Sequence, residues 1–306
     1  MNKLLLSLFI ILLFSTTLQA DPFTASMQKT ESKIFNIKEI KKINIINKFG
    51  NVDIKTWKED KISYSAKITA RAKRESNAAN LLDDISIVTN EIKDNITIKT
   101  QIKRSKITNI SFEILLEIHI PEYLDVNVNT FFGDISIFGN TGLVNLKNDN
   151  GNILAKDINQ AVISNKFGTI EVYNIVDNLN INNTDGDIIV KDAAGTVQIN
   201  TKFSDINIKN ISDSLNITSN DGNIEVYNFH NAKISNSYGD VKLINQDGNL
   251  ELSVRDGNID ANDITGKVNI FNIFGGITLN KVKGAVTINA KDSDIMASDI
   301  ANNLYI

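Results

Sequence analysis

The sequence predicts an all-β fold: a parallel β-solenoid of about ten turns of 17 or 18 residues, with an N-terminal β-rich capping insertion that includes one helix. Three observations predict it. First, a phrase of glycine, small polar residue, Ile or Val, any residue and an apolar residue recurs from FGDISI (Gly133) through NGNILA (Gly151), FGTIEV (Gly168) and DGDIIV (Gly186) to FGGITL (Gly275), with Ser204 and Ser293 in the glycine position of two copies. Second, between copies a second phrase returns, as VNLKN, AVISN, LNINN, VQINT and VTINA. Third, no proline occurs after Pro121, as expected where every backbone N–H joins a ladder.

Each element follows in chain order. Residues 1–20, MNKLLLSLFIILLFSTTLQA, place Lys3 before an apolar run and then small or polar residues ending in Ala20. That is the pattern of a secretory signal peptide and too short for a good membrane span, so the expectation is an exported chain with no transmembrane segment in its mature part. Residues 21–123 hold a first solenoid turn, INIINKFGNVDI (43–54), followed by the insertion. The insertion alternates apolar and polar residues in KISYSAKITARA, NITIKTQI and ISFEILLEIHI, the strand period. One helix is expected over NAANLLDDISIV (77–88), with Ala78, Leu81, Leu82, Ile85 and Val88 on one face. The open end of a solenoid needs a cover, and this segment is the simplest one, with Trp57 expected in its core.

Residues 124–306 are the array. In each turn apolar residues fall two, four and seven positions after the glycine and again eleven and thirteen after it, as in Ile170, Val172, Ile175, Leu179 and Ile181. Pairs two apart put their side chains on one face of a strand, and stacking the turns joins these faces into one core. The residue seven after glycine fits either a third short strand or a corner. Asp or Asn follows the glycine at 134, 152, 187, 205, 223, 240, 258 and 294, a turn-capping preference. Three residues before it, Asn148, Asn165, Asn183, Asn236 and Asn272 suggest an amide ladder, each side chain bonded to its copies above and below. The chain reaches Leu304-Tyr305-Ile306 in mid-turn, and an exposed strand edge there invites self-association.

One column is unusual. The residue before the glycine reads Phe132, Asn150, Phe167, Asp185, Phe203, Asp221, Tyr238, Asp256, Phe274, Asp292, alternating aromatic with Asp or Asn throughout. With turns about 4.8 Å apart, the aromatics return about every 9.6 Å along one edge. Three readings stand. The rings lean across two layers while the Asp side chains cap backbone. Or Phe132, Phe167, Phe203, Tyr238 and Phe274 form an exposed ladder on which an extended glycan stacks, its hydroxyls donating to Asp185, Asp221, Asp256 and Asp292. Or those carboxylates hold calcium, which needs six to eight oxygens and for which the calcium-binding nonapeptide repeat is absent.

Composition narrows the rest. There is no Cys, so neither a disulfide nor thiolate chemistry nor a lipid anchor on cysteine is open to this chain. Residues 131–306 carry a formal charge of −8, which argues against a nucleic-acid partner. The two histidines, His119 and His230, lie far apart in sequence, and no G-x-S-x-G, HExxH, P-loop or GxGxxG phrase occurs. Turns of 17 or 18 residues leave no long loop for a carboxylate pair of the kind that cleaves polysaccharides, so no catalytic residue, cofactor or metal is assigned. Arg71, Lys73 and Arg74, with Lys103, Arg104 and Lys106, read as a solvated cap face or as contacts to anionic envelope polymers.

INKFGNVDI, IHIPEYLDVNVNTFFGDISI and the repeated G-[DN]-I-x-V phrases resemble the bacterial putative-adhesin domain family of exported β-solenoids, over roughly residues 35–306. The resemblance implies a binding module in the periplasm, at the cell surface or secreted, and brings no catalytic residues. The expectation is a non-enzymatic rod that presents side-chain columns to glycan or envelope ligands. The alternative is an assembly protein of the envelope acting through protein contacts at the solenoid ends.

Overall fold

The structure is a computed structural model that describes residues 24–37, 39–103 and 110–306. The expected signal peptide, Arg104 and Lys106 lie outside the described residues. Ten elements build the N-terminal part: β1 (Ala25–Asn36), β2 (Lys42–Phe49), β3 (Val52–Trp57), β4 (Lys61–Ala72), α1 (Glu75–Asp84), β5 (Ile85–Ile92), β6 (Asn95–Ile102), β7 (Ile110–Pro121), β8 (Asp125–Phe132) and β9 (Ile135–Asn150). From Ile153 to Tyr305 every turn repeats one plan, a strand run after the glycine position and a second run before the next. The residue seven after glycine continues the first run around a corner, as in the in-register column Ile158, Ile175 and Ala193. It does not form a third strand.

Register is parallel from turn to turn, with a one-residue shift after the second corner where a turn has 17 residues, as between Ile158 and Gln160 and between Ile211 and Ser214. Ile153 faces Ile170, which faces Ile188, and Ala161, Leu179 and Val197 stack on the other side. Like therefore stacks on like, and the inward Ile, Val, Leu and Ala residues form one core that runs from Ile37 to Ile288. Gly168 shows why glycine marks the first corner. Its φ is +123°, and a Cβ there would stand 2.3 Å from the carbonyl oxygen of Gly151 in the neighbouring turn. The second corner lies six residues on. Asp157, Asn174, Asp192, Asn210, Asn228, Asn245, Asp263, Lys281 and Asp299 all hold φ between +51° and +63°. Asn and Asp are the non-glycine residues that tolerate this left-handed conformation best.

The amide ladder expected at 148, 165, 183, 236 and 272 is not there. Those side chains are buried, but they donate to corner carbonyls: Asn165 Nδ2 to Gly151 and Gly168 oxygens (both 3.1 Å), Asn183 to Gly186 (2.7 Å), Asn236 to Gly222 and Gly239 (3.0 and 3.1 Å). A buried carbonyl at the glycine corner needs a donor, and the amide supplies it before it can reach its own copies. A hydroxyl in the neighbouring turn completes some of these amides, Thr130 donating to Asn148 Oδ1 (2.6 Å) and Thr100 to Asn47 Oδ1 (2.9 Å). A side-chain ladder does exist at the second corner, where Asn210 donates to Asp192, Asn228 to Asn210 and Asn245 to Asn228 at 2.6–2.9 Å. The Asx residues after the glycine act as caps between turns: Asp134 Oδ1 accepts from the Asn152 amide and Asp240 Oδ1 from Asn258 (2.7 and 2.8 Å).

The insertion does more than cover the end. β6 lies parallel to β2 and β7 parallel to β3, with Ile96 and Ile98 opposite Ile43 and Ile45 and with Leu116 and Ile118 opposite Val52 and Ile54. It thus adds a turn ahead of the first one. Antiparallel strands then extend the edges, β4 and β1 beyond β7 and β5 beyond β6. α1 packs there, and Leu81 and Leu82 share a second small core with Ile68, Ala70, Ile85 and Ile114. The helix ends at Asp84, four residues earlier than expected. Ile85 to Ile92 instead pairs with β6 through a turn at Lys93 (φ +55°), leaving Val88 exposed. The β-branched run gains more from this ladder than from another helical turn.

Candidate functional site

The aromatic column forms one edge of the solenoid, where the strand run before each glycine turns the corner. Register puts Phe132 beside Asn150, Asn150 beside Phe167, Phe167 beside Asp185, and Asp185 beside Phe203. Asp221, Tyr238, Asp256 and Phe274 then follow in turn. The five rings are between 42% and 52% exposed. They reach solvent because the inward place in this stretch is taken two residues earlier by the buried Asn, Thr and Ser column. At the cap end the spacing tightens. Phe49 stacks on Phe132 (centroids 5.5 Å, planes 9° apart), and Phe112 meets Phe49 edge-on at 5.2 Å. Further along, the Arg255 guanidinium stands 5.9 Å from the Tyr238 ring.

The acids between the rings do not cap backbone, which removes half of the packing reading. Asp185, Asp221, Asp256 and Asp292 are exposed, and among the described residues their carboxylates accept no hydrogen bond. Capping falls to the column two residues on, whose side chains reach the amide of the neighbouring turn. Nor are these acids arranged for calcium. Asp185 and Asp221 are two turns apart, about 9.6 Å, whereas an ion's oxygen ligands lie about 2.3–2.6 Å from it. Among the described residues no group of three His, Asp or Glu converges on a common point.

The broad faces on either side of the core differ in charge. The strand runs after the glycines carry Glu171, Lys191, Lys209, Glu225, Lys242 and Asp260 outward. Tyr173 donates to Glu171 (2.7 Å) with Lys191 Nζ 5.4 Å from its ring, and Tyr227 donates to Glu225 (3.0 Å) with Lys209 at 5.0 Å. The Tyr173 phenol is held above its ordinary pKa, first by that hydrogen bond, and the Tyr227 phenol first by desolvation. The opposite face, continuous with the aromatic edge, is mainly Asn, Gln, Ser and Thr.

Stacking also brings together residues that look unrelated in the chain. Ser212, His230 and Asp247 each lie eight residues after the glycine position and line one groove in three consecutive turns. His230 Nδ1 lies 2.7 Å from Asp247 Oδ1. The order suggests a nucleophile, base and orienter, but the pair stands in water, 42% and 75% exposed, and no hydrogen bond joins Ser212 to the imidazole. His119 lies on the cap side, stacked on Trp57 at 5.3 Å, and Trp57 is half-buried with its Nε1 donating to the Lys61 carbonyl (2.8 Å). Arg71 approaches Glu113 at 3.9 Å with both side chains exposed, and Lys73, Arg74 and Lys103 are exposed. Leu304, Tyr305 and Ile306 are exposed as well. Among the described residues no helix is long and apolar enough to cross a membrane.

The repeat, its corner glycines and the entry segment match the Toastrack DUF4097 family model over residues 40–271. The chain belongs to that family. The match begins at the first turn and runs through the insertion into the array, so the inserted turn falls within the family's span, while β1 of the cap lies before it. No functionally curated protein matches the chain. Solved structures similar to it include a putative cell adhesion protein from Clostridium sporogenes, at 14% identity over 68% of this chain and 100% of that one, TM-score 0.36. Two putative adhesins are also similar. The one from Bacteroides fragilis has 17% identity over 88% of this chain and 96% of that one, TM-score 0.28. The one from Parabacteroides distasonis has 14% identity over 88% and 97%, TM-score 0.32.

Proposed function

We propose that this Toastrack-family protein is an exported, adhesin-like module that binds an extended glycan along its aromatic edge. The observation that carries the reading is the edge itself. Rings half open to solvent recur every second turn, and Asn150 and then the free carboxylates of Asp185, Asp221 and Asp256 occupy the turns between them. Packing alone gives no reason to leave five rings in water at a fixed period, since burying an aromatic side chain stabilises by roughly 1.5–3 kcal/mol. Sugar rings stack on aromatic faces, and carboxylates between the rings accept from hydroxyls. A period of about 9.6 Å suits a polymer that repeats every second sugar. The apolar leader of residues 4–14 supports export.

The test is binding of residues 21–306 to a broad array of glycans and envelope polymers, beside a variant with Phe167, Phe203 and Tyr238 changed to Ala. Circular dichroism first checks that the variant folds. Binding by the parent, lost in the folded variant, is the expected result. Equal binding by both, or by neither, would remove the edge as a ligand site.

A further inference from the structure

The face next to the aromatic edge is kept almost free of charge where the edge is most regular. In the turns between Phe167 and Tyr238 the outward positions carry Asn180, Asn182, Gln198, Asn200, Asn216 and Thr218, in unshifted register. Lys166, Lys202 and Lys233 are the charged residues of this patch, with Lys166 beside Asp149 at 2.9 Å and Lys233 beside Glu251 at 2.7 Å. The same turns place Lys191, Lys209, Glu225 and Lys242 on the opposite face. In these turns charge is concentrated on one face of the rod.

Segregation of this kind has a physical consequence. Covering a face strips water from it, and stripping a charged group costs several kcal/mol, whereas an amide or hydroxyl that regains a hydrogen bond loses little. The amides are also largely uncommitted. Asn182 donates to Asn180 (3.1 Å) and Asn200 to Asn182 (3.4 Å), which leaves one N–H of each amide and most of the oxygens for a ligand. Rows about 4.8 Å apart with outward residues about 6.6 Å apart within a row form a lattice of paired donors and acceptors. A hydroxyl, itself donor and acceptor, matches it. A polyanion does not, because Asp185, Asp221 and Asp256 line the adjoining edge and repel it.

We infer that the ligand is a neutral, hydroxyl-rich polysaccharide that stacks on the Phe167–Tyr238 edge and extends over the face built by Asn182, Asn200 and Thr218. This rests on the aromatic-edge reading and adds the ligand's charge class and a second contact surface. The probes are oligosaccharides of a neutral β-linked glucan, of an acidic uronan and of cationic chitosan, titrated into residues 21–306. The neutral probe should bind with an affinity that added salt leaves unchanged. Asn182→Asp with Asn200→Asp should weaken it roughly tenfold, the loss of about two hydrogen bonds. The uncharged variant Asn200→Ala with Thr218→Val should weaken it in the same direction. Lys191→Ala with Lys209→Ala, on the opposite face, should bind as the parent does. All variants change outward-facing side chains and are checked for folding by circular dichroism.

Binding of the uronan or chitosan in place of the glucan would overturn the inference. So would neutral binding that both amide variants retain. In either case loss of binding in the Phe167, Phe203 and Tyr238 variant would leave the edge reading standing. A parent that binds none of the three would overturn both.

Discussion

Lys281 is, among the described residues, the member of the left-handed corner column that is neither Asn, Asp nor Gly (φ +56°). An ordinary side chain in that conformation costs about 1–2 kcal/mol, and less for Asn. Its ion pair with Asp263, at 3.7 Å and with both side chains at least half exposed, offsets little of that. Lys281→Asn is expected to stabilise the protein by about 0.5–1 kcal/mol, read as a higher midpoint in a parallel thermal melt. An unchanged or lower midpoint would mean that the corner conformation is not what selects Asn and Asp there. The column was open to sequence reading, because Asn or Asp recurs six residues after the glycine position at 157, 174, 192, 210, 228, 245, 263 and 299. The buried Asn column was also visible, but its partners were not. Asn165 and Asn183 stand one turn apart, so bonding to each other fits the spacing as well as bonding to the glycine carbonyls does. The inward carbonyl decides, and only the backbone path shows it.

The helix is the element in which local pattern and long-range pairing compete. At ten residues α1 is too short to hold its shape in water, and it stands because Ala78, Leu81 and Leu82 are buried against the cap strands. Leu81→Ala should therefore destabilise the cap by about 2–5 kcal/mol, the usual range for a buried Leu. Hydrogen exchange should show the loss in β1, β4 and α1 while the distant turns keep their protection, because each turn of a solenoid contacts mainly its neighbours. Uniform loss along the rod would show instead that the cap and array unfold as one. Leu82, Ile85 and Val88 recur at helical spacing, and the same stretch also reads as strand from Ile85 onward. The antiparallel partner in β6 selects strand, and that partner is settled by where the inserted turn docks.

For the whole molecule, the two-turn alternation along the edge is separable from the one-turn repeat of the core. Deleting residues 187–204 removes one turn and sets Asp185 beside Asp221, whereas deleting 187–222 removes two and sets Asp185 beside Tyr238. Both joins keep the core columns in phase, so both variants should fold. Stacked like charges cost about 0.2–1 kcal/mol and are screened by salt. Added salt should thus raise the melting temperature of the one-turn deletion more than that of the two-turn deletion. Equal salt responses would mean that the edge acids do not sense one another.

By itself the sequence determined the solenoid, its turn length, its inward columns and the alternating edge, because a core made by stacking identical turns writes its period directly into the chain. The tertiary structure decided what depends on neighbours that the period does not name. It ran β6 and β7 as an added turn ahead of the first, gave the buried amides to the corner carbonyls, and turned the edge rings outward beside carboxylates without partners. It also showed that in the turns from Phe167 to Tyr238 charge is concentrated on one face, since outward residues of one turn are separated in sequence but meet their counterparts only across the stack.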